Sequence, residues 1–343
     1  MGHGVTLPSA VFRARTRPPR RILGGPLQGA VVITFPVSVP AAEDVSGSVC
    51  DLCGTDRHVA VRLEARDYEY GVPGVFRLAR CPACDLYFQA PRPALGSIPT
   101  FYPLTYPVYG DDPVTGWLFR VMFWLEARRI ARLIGPRGRV LDVGCGAGAA
   151  LAAMAHRENW ELYGVELDPG AAQRARALGF NVQQGDLIQA DFEPGTFALV
   201  RMGHVLEHFR EPLRALKRAY DLLRPGGILF GETPNTACWD FRLFGRYWGA
   251  LHVPRHITLF CEKALRLACR QVGFEEVRVI PRLRTVGWSA GLQNFLSDRW
   301  GLRVPPNGRV KWYPLLIVPF LPVTALQALV SRPATIAFVA RKP

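Results

Sequence analysis

Three stretches of this chain carry residue types at spacings that could do chemistry. Cys50 and Cys53 form one Cys-x-x-Cys pair, and Cys81 and Cys84 form a second. Two thiolates on one tight turn subtend an edge of a tetrahedron, and a second such turn can supply the opposite edge around a metal ion. With all four positions taken by cysteine, no coordination position stays open, so such a metal is structural. Unligated cysteines or a redox pair are the alternative. The second stretch, Arg139 to Gly148, runs as a short apolar segment to Asp142 and then places Gly144, Gly146 and Gly148 at alternate positions before an Ala-rich segment. That pattern reads as a buried strand, a tight turn and a helix start, and glycine there lets a nucleotide-like ligand approach the backbone. Glu166 stands at the end of the next apolar run, where a carboxylate can accept both hydroxyls of a ribose. The third stretch holds His204, Glu207 and His208, with His252, Arg255 and His256 further along the chain. Histidine and carboxylate groups in such clusters serve as general bases or bind divalent cations.

The elements that must position these groups alternate. Strands are predicted at 139–143, 162–167, 181–184, 197–202, 227–232, 276–281 and 335–341, with helices near 117–134, 147–157, 169–178, 210–223 and 261–272. Alternation with nearly continuous apolar strands implies a mainly parallel sheet covered on both faces, with ligands at the carboxyl ends of the strands. Asp168 is placed to cap the helix that opens at Pro169. The glycine turn alone also fits a relaxed dinucleotide fingerprint, with Gly144, Gly146 and Ala149 in register and Glu166 downstream.

Three downstream segments favour another reading. His204-Val205-Leu206-Glu207-His208, Leu223-Arg224-Pro225-Gly226-Gly227 and Glu232-Thr233-Pro234-Asn235 each fall at an element end. Together with the glycine turn they resemble the class I S-adenosylmethionine-dependent methyltransferases, from about Trp117 to the C-terminus. The resemblance implies an α/β, doubly wound, mainly parallel seven-stranded sheet of the Rossmann-like methyltransferase type. The cysteine pairs resemble the knuckles of a zinc ribbon, although the segment between them is longer than usual. The expected organisation is a disordered tail over 1–48, a zinc-ribbon module over 49–90, a linker over 91–116 and a methyltransferase domain over 117–343 with an apolar insert near 282–333.

The resemblance also implies a cofactor site for S-adenosyl-L-methionine. Asp142, Gly144, Gly146 and Gly148 would form the turn and Glu166 would hold the ribose. Asp186 and Leu187 would meet the adenine, and Met202 and Gly203 would line the sulfonium side. The chain departs from the family at Phe197-Ala198, where an Asp usually follows the Phe. For the chemistry, His208, His204 and His256 are the candidate bases. Related quinone-biosynthetic methyltransferases carry Glu-x-x-Glu-His at the 204–208 position and can hold a divalent cation there; His204 replaces the first Glu and compromises such a site. A capping and pocket-lining role is the third reading of that cluster. Arg255 could receive a phosphate or carboxylate.

Composition narrows the partners. The chain has 343 residues, 49% of them hydrophobic, and a formal net charge of +14. That charge favours anionic partners, yet five of the positive charges are Arg13, Arg15, Arg17, Arg20 and Arg21 of the Arg-rich start, those of the body are scattered, and the cysteine segment mixes acids with bases, so nucleic acid is not the expected partner. Isolated cysteines beside two metal-type pairs point to a reducing, cytoplasmic setting rather than a disulfide framework. Residues 1–48 contain prolines at 8, 18, 19, 26, 36 and 40, which argue against a targeting helix and for a disordered tail or a translation start placed too early. Tyr102, Tyr106 and Tyr109 in the linker are candidates for a substrate mouth or for packing between domains. Trp312 to Val330 carries no charge and reaches spanning length, but Pro314, Pro319 and Pro322 interrupt it, and the strands on both sides must return to one sheet. A dip into the inner face of a membrane, a lid and a dimer contact are the readings it leaves. The expected acceptor is a small or lipid-linked metabolite such as a sugar, polyketide or quinone-like ring; an RNA or protein acceptor, or binding without catalysis, is the alternative.

Overall fold

The computed structural model describes residues 49–102, 113–155, 159–305 and 308–343. The expected tail over 1–48 and linker residues Tyr106 and Tyr109 lie outside them. Strands β1 (Ala60–Ala65), β2 (Phe76–Arg80) and β3 (Tyr87–Gln89) form an antiparallel meander after the first cysteine turn. Helix α1 (Pro113–Ile134) leads into the doubly wound part: β4 (Arg137–Val143), α2 (Ala149–Ala155), β5 (Asn159–Glu166), α3 (Pro169–Ala177), β6 (Asn181–Gln184) and β7 (Phe197–Gly203). The chain continues through α4 (Pro212–Leu222), β8 (Leu223–Pro234), α5 (Trp239–Phe244), β9 (Thr258–Leu259), α6 (Glu262–Val272) and β10 (Glu275–Arg282), then α7 (Val286–Trp300), α8 (Tyr313–Leu329) and β11 (Thr335–Arg341).

Seven strands make one sheet in the order β10-β11-β8-β7-β4-β5-β6. The pairs from β8 to β6 are parallel and β11 is antiparallel to both its neighbours. This is the expected Rossmann-like methyltransferase sheet. Alternate residues of β4 feed two cores: Leu141 and Val143 pack with Leu216, Leu222 and Phe338, while Val140 packs with Ile130, Leu151 and Phe230 under α1 and α2. Burial on both faces explains why these strands read as continuous apolar runs. Asp168 caps α3 by accepting from Ala171 N at 2.6 Å, with Pro169 in the first turn.

Two features escaped sequence reading. The segment between β8 and α6 folds over the carboxyl edge of the sheet, and its strand β9 pairs with β3, Tyr87 opposite Leu259 and Phe88 opposite Thr258. The sheet of the cysteine segment is therefore completed by a strand from beyond residue 117 and is continuous across the expected module boundary. A two-residue strand gives no periodicity to detect, and its pairing is set by contacts distant in sequence.

Candidate active site and cysteine cluster

The carboxyl ends of β4, β5, β7 and β8 lie side by side, with Val143 opposite both Val165 and Met202, and Gly203 opposite Glu232. The turn after β4 holds Gly144, Gly146 and Gly148 at φ +65°, +55° and +87°, a region that L side chains adopt only at a cost of roughly 1–2 kcal/mol. At Gly144 a Cβ would stand 2.6 Å from a Val205 methyl. Glu166 reaches across this turn: one carboxylate oxygen accepts from Gly146 N at 2.8 Å and the other from Asp168 N at 2.9 Å. Burial raises its pKa, an effect the two amides oppose. A carboxylate offers about four acceptor positions, so two remain for a ligand. These residues fit the nucleoside end of S-adenosylmethionine: a backbone cradle that side chains would fill, and a fixed acid beside it.

The other predicted cofactor residues divide between turn and core. Asp186 accepts from Ile188 N at 2.8 Å and holds the turn after β6, while Leu187 and Met202 are buried in the core beneath. Asp142 is 1% exposed and pairs with Arg201 at 2.8 Å; Arg201 also binds Glu126 of α1. Sequence reading missed this buried Glu126–Arg201–Asp142 network, because Glu126 is remote and an Arg inside a strand looks like a surface residue. The Arg201 guanidinium lies directly against Gly203, where an added Cβ would meet it at 2.5 Å.

The histidine cluster sits opposite Glu166. The expected helical face of His204, Glu207 and His208 is not a helix: only Leu206–His208 make a single 3-10 turn, and His204 has φ +56°. That left-handed residue, strained by about 1–3 kcal/mol, turns its ring between Glu207 (3.2 Å) and Glu232 (3.7 Å). Burial lowers the His204 pKa, but the bonds and charges of Glu207 and Glu232 outweigh it and bring it to about 9. His204 is thus an imidazolium at neutral pH and not a base. His208 and His256 behave oppositely. Burial pulls His208 down to about 4, against the charge of Glu207, and pulls His256 well below its usual value. Their rings meet edge to face at 4.8 Å.

Backbone carbonyls fix both tautomers. His208 Nδ1 lies 3.0 Å from the Arg255 carbonyl and equally far from the Tyr102 hydroxyl; His256 Nδ1 lies 2.9 Å from the Ala250 carbonyl. A carbonyl only accepts, so each Nδ1 carries the proton and each Nε2 is left basic. Between them, Glu207 is fully buried and its Oε2 has no hydrogen-bond partner among the described residues. Glu207, His208 and His256 bring ligating atoms within 4.8 Å of one another. A divalent cation, expected at His204, Glu207 and His208, would therefore find His256 in place of His204, whose ring is held by two carboxylates.

Arg255 is corrected as well. It does not await an anion: its guanidinium is wholly buried in a bidentate pair with Asp67, at 2.9 Å for both bonds, and Asp67 also accepts from the amides of Glu69, Tyr70 and Val72. Gln89 of β3 donates to the carbonyls of Pro254 at 2.7 Å and His256 at 2.8 Å. The cysteine segment thereby holds the loop that carries His256. No local signal in the sequence could have announced these pairs, which join positions far apart in the chain.

The four cysteines meet as expected. Cys50 and Cys84 sulfurs are 3.6 Å apart, Cys53 and Cys81 sulfurs 3.5 Å apart, and all four lie within 4.8 Å of one another. A tetrahedron with 2.3 Å zinc–sulfur bonds has edges of about 3.8 Å, so the cluster is compatible with zinc. The two turns repeat one geometry: Cys50 N binds Thr55 O and Gly54 N binds Cys50 O, as Cys81 N binds Leu86 O and Asp85 N binds Cys81 O.

A doubly wound sheet with this order, with an alternating-glycine turn and an acid at the next strand end, is the fold of the class I S-adenosylmethionine-dependent methyltransferases. The family model described as a methyltransferase domain matches residues 117–279. The ubiquinone biosynthesis O-methyltransferase of Xanthomonas campestris pv. campestris strain B100 is 36% identical over 121 residues, which is 33% of this chain and 50% of that protein. The protein of the same name from Sodalis glossinidius is 33% identical over 137 residues, 36% of this chain and 55% of that protein. The chain thus spans about half the length of the curated relatives it matches. Among solved structures, Haemonchus contortus phosphoethanolamine N-methyltransferase 2 in complex with S-adenosyl-L-methionine is 17% identical with a TM-score of 0.46, over 67% of this chain and 57% of that chain.

Proposed function

We propose that this chain transfers a methyl group from S-adenosylmethionine to a hydroxyl of a small, quinone-like acceptor, with His208 as general base. The observation that carries the reading is the pair of neutral, tautomer-fixed histidines beside a buried carboxylate, set across the strand ends from the glycine turn and Glu166. S-adenosylmethionine, when bound, supplies a methyl group on a positively charged sulfur. Glu166 would hold the ribose, the amides of the glycine turn would line the methionine end, and Asp186 and Leu187 would border the adenine. The acceptor hydroxyl gives its proton to His208 Nε2 as its oxygen forms the new bond to carbon and the carbon–sulfur bond breaks. Glu207 then stabilises the imidazolium that forms, and His256 and Tyr102 keep the ring in place. The names of the matched relatives support an oxygen acceptor on a ring of this type.

We further propose that the cysteine cluster holds one structural zinc ion, keeping Asp67 and Gln89 in register with the loop of His256, and that the protein is cytoplasmic with a peripheral contact at the inner face of the membrane. The test of the reaction is transfer of labelled methyl to a panel of dihydroxyaromatic compounds. His208→Asn should lower kcat by about 10²–10⁴-fold and leave the affinity for S-adenosylhomocysteine unchanged. Full activity in that variant would remove His208 from the reaction, and transfer to an amine but to no hydroxyl would exclude the oxygen acceptor.

A further inference from the structure

Helix α8 is built inside out. Its fully buried side chains are the polar Thr324 and Gln327, whereas Leu315, Val318 and Leu329 are 72%, 66% and 82% exposed. At about 100° per residue, Leu315, Val318, Pro322, Leu326 and Leu329 fall on one side, opposite Thr324 and Gln327. Gln327 anchors the inner side, donating to Asp240 at 2.8 Å and accepting from Trp288 at 2.5 Å. The helix is thus held to the protein by these polar contacts and by Phe320 stacked on Trp288 at 5.5 Å, while its apolar stripe is exposed. Trp300 at the end of α7, 76% exposed, and the exposed Trp312 at the start of α8 add indole rings to the same insert.

Beyond Asp298, the charges that flank this stripe in sequence are of one sign. From Arg299 to the C-terminus the sequence contains no Asp or Glu, and Arg299, Arg303, Lys311 and Arg332 are exposed at the approaches to and exit from α8. A second copy docked across this face would bring two sets of like charges together, whereas an anionic lipid surface would attract them.

We propose that α8 lies in the plane of an anionic bilayer surface, with its leucine stripe in the acyl boundary and these four basic residues among the headgroups. The depth is set by the prolines. Pro319 and Pro322 remove the donors that would meet the Leu315 and Val318 carbonyls, and those carbonyls belong to residues of the exposed stripe. Water and headgroups satisfy them at an interface, and hydrocarbon does not. At 17 residues the helix is about 25 Å long, short of a roughly 30 Å hydrocarbon core, and no helix among the described residues is long and apolar enough to cross a membrane. The orientation is set by the sheet. Thr335, shortly after α8, pairs with Pro234 at the carboxyl end of β8, so α8 ends at the edge that carries the histidine cluster. Docking therefore turns the substrate side of the site toward the bilayer. Only this last step rests on the methyl-transfer reading.

The experiment is flotation of the full chain with phosphatidylcholine vesicles and with vesicles containing phosphatidylglycerol. The protein should float with the phosphatidylglycerol vesicles at low salt and lose on the order of tenfold in bound fraction in high salt. It should lose a similar factor in the triple variant Leu315→Glu, Leu326→Glu, Leu329→Glu. A second variant, Arg303→Glu with Lys311→Glu, removes the charge without touching the stripe and should give the same loss. Calorimetric binding of S-adenosylhomocysteine to each variant reports the fold. Absence of flotation at low salt, or equal flotation with neutral vesicles, overturns the proposal. So does a dimer in equilibrium sedimentation that the leucine substitutions split while no vesicle binding is seen. Flotation in a protein that fails to bind S-adenosylhomocysteine leaves docking intact and removes the methyl-transfer reading instead.

Discussion

Replacing Glu166 tests the cofactor site most directly. Its carboxylate bridges the glycine turn and the start of α3 through Gly146 N and Asp168 N, and the same oxygens are those expected to receive the ribose. A hydrogen bond to a charged group contributes about 1.5–3 kcal/mol net, so Glu166→Ala should weaken S-adenosylhomocysteine binding by about 10- to 150-fold. Stability should change less, because the freed amides lie near the surface, where water can replace the carboxylate. Glu166→Gln separates charge from shape. Its amide keeps one acceptor, but its NH2 must face Gly146 N–H or Asp168 N–H, donor against donor, so it should rescue little. Acidification should mimic the substitution, and earlier than for an ordinary glutamate, because burial raises this carboxyl above its usual value. Titration calorimetry of both variants across pH is the assay. A change of less than about twofold in either variant, below any charge-assisted bond, would show that the ligand does not use this residue.

The same geometry predicts further outcomes. Arg201→Leu leaves Asp142 buried without a countercharge and Glu126 with only Arg282, 4.0 Å away, and should cost about 3–5 kcal/mol in chemical denaturation, with much of it regained when both acids are also replaced by their amides. Metal analysis should find one zinc per chain, lost in Cys84→Ser; because Gln89 and Asp67 hold the His256 loop, that variant should raise KM for the acceptor more than it weakens cofactor binding. His204 is held up to about 9 by Glu207 and Glu232, so its stabilising contribution is complete below its ordinary value near 6.5 and is lost as pH rises through about 9. Glu232, lowered to about 2 because His204 and Arg284 outweigh its burial, contributes fully above about 4.5 and loses this as pH falls through about 2. Denaturation midpoints measured against pH should show the alkaline decline, and His204→Gln should flatten it.

The strands of the sheet and the glycine turn at its carboxyl edge could be read from the chain alone, because both depend on local physics. Strands buried on both faces must be continuously apolar, a chain that reverses against a ligand must use glycine, and a Cys-x-x-Cys turn brings two sulfurs together whatever surrounds it. The glycine turn, Glu166, the Asp168 cap and the paired cysteines were legible for that reason. The division of labour among the histidines was not. His204, His208 and His256 are the same residue type, and what makes the first a cation and the others neutral is which carboxylates and carbonyls the fold brings to each ring. Arg255 likewise looks like an anion receptor until Asp67, from the far side of the chain, is seen to occupy it. In α8 the sequence showed an uncharged run, but only the packed structure decided that Thr324 and Gln327 face inward and the leucines outward. Burial, pairing and pKa depend on neighbours that are distant in sequence, so they are settled only when the chain has closed on itself.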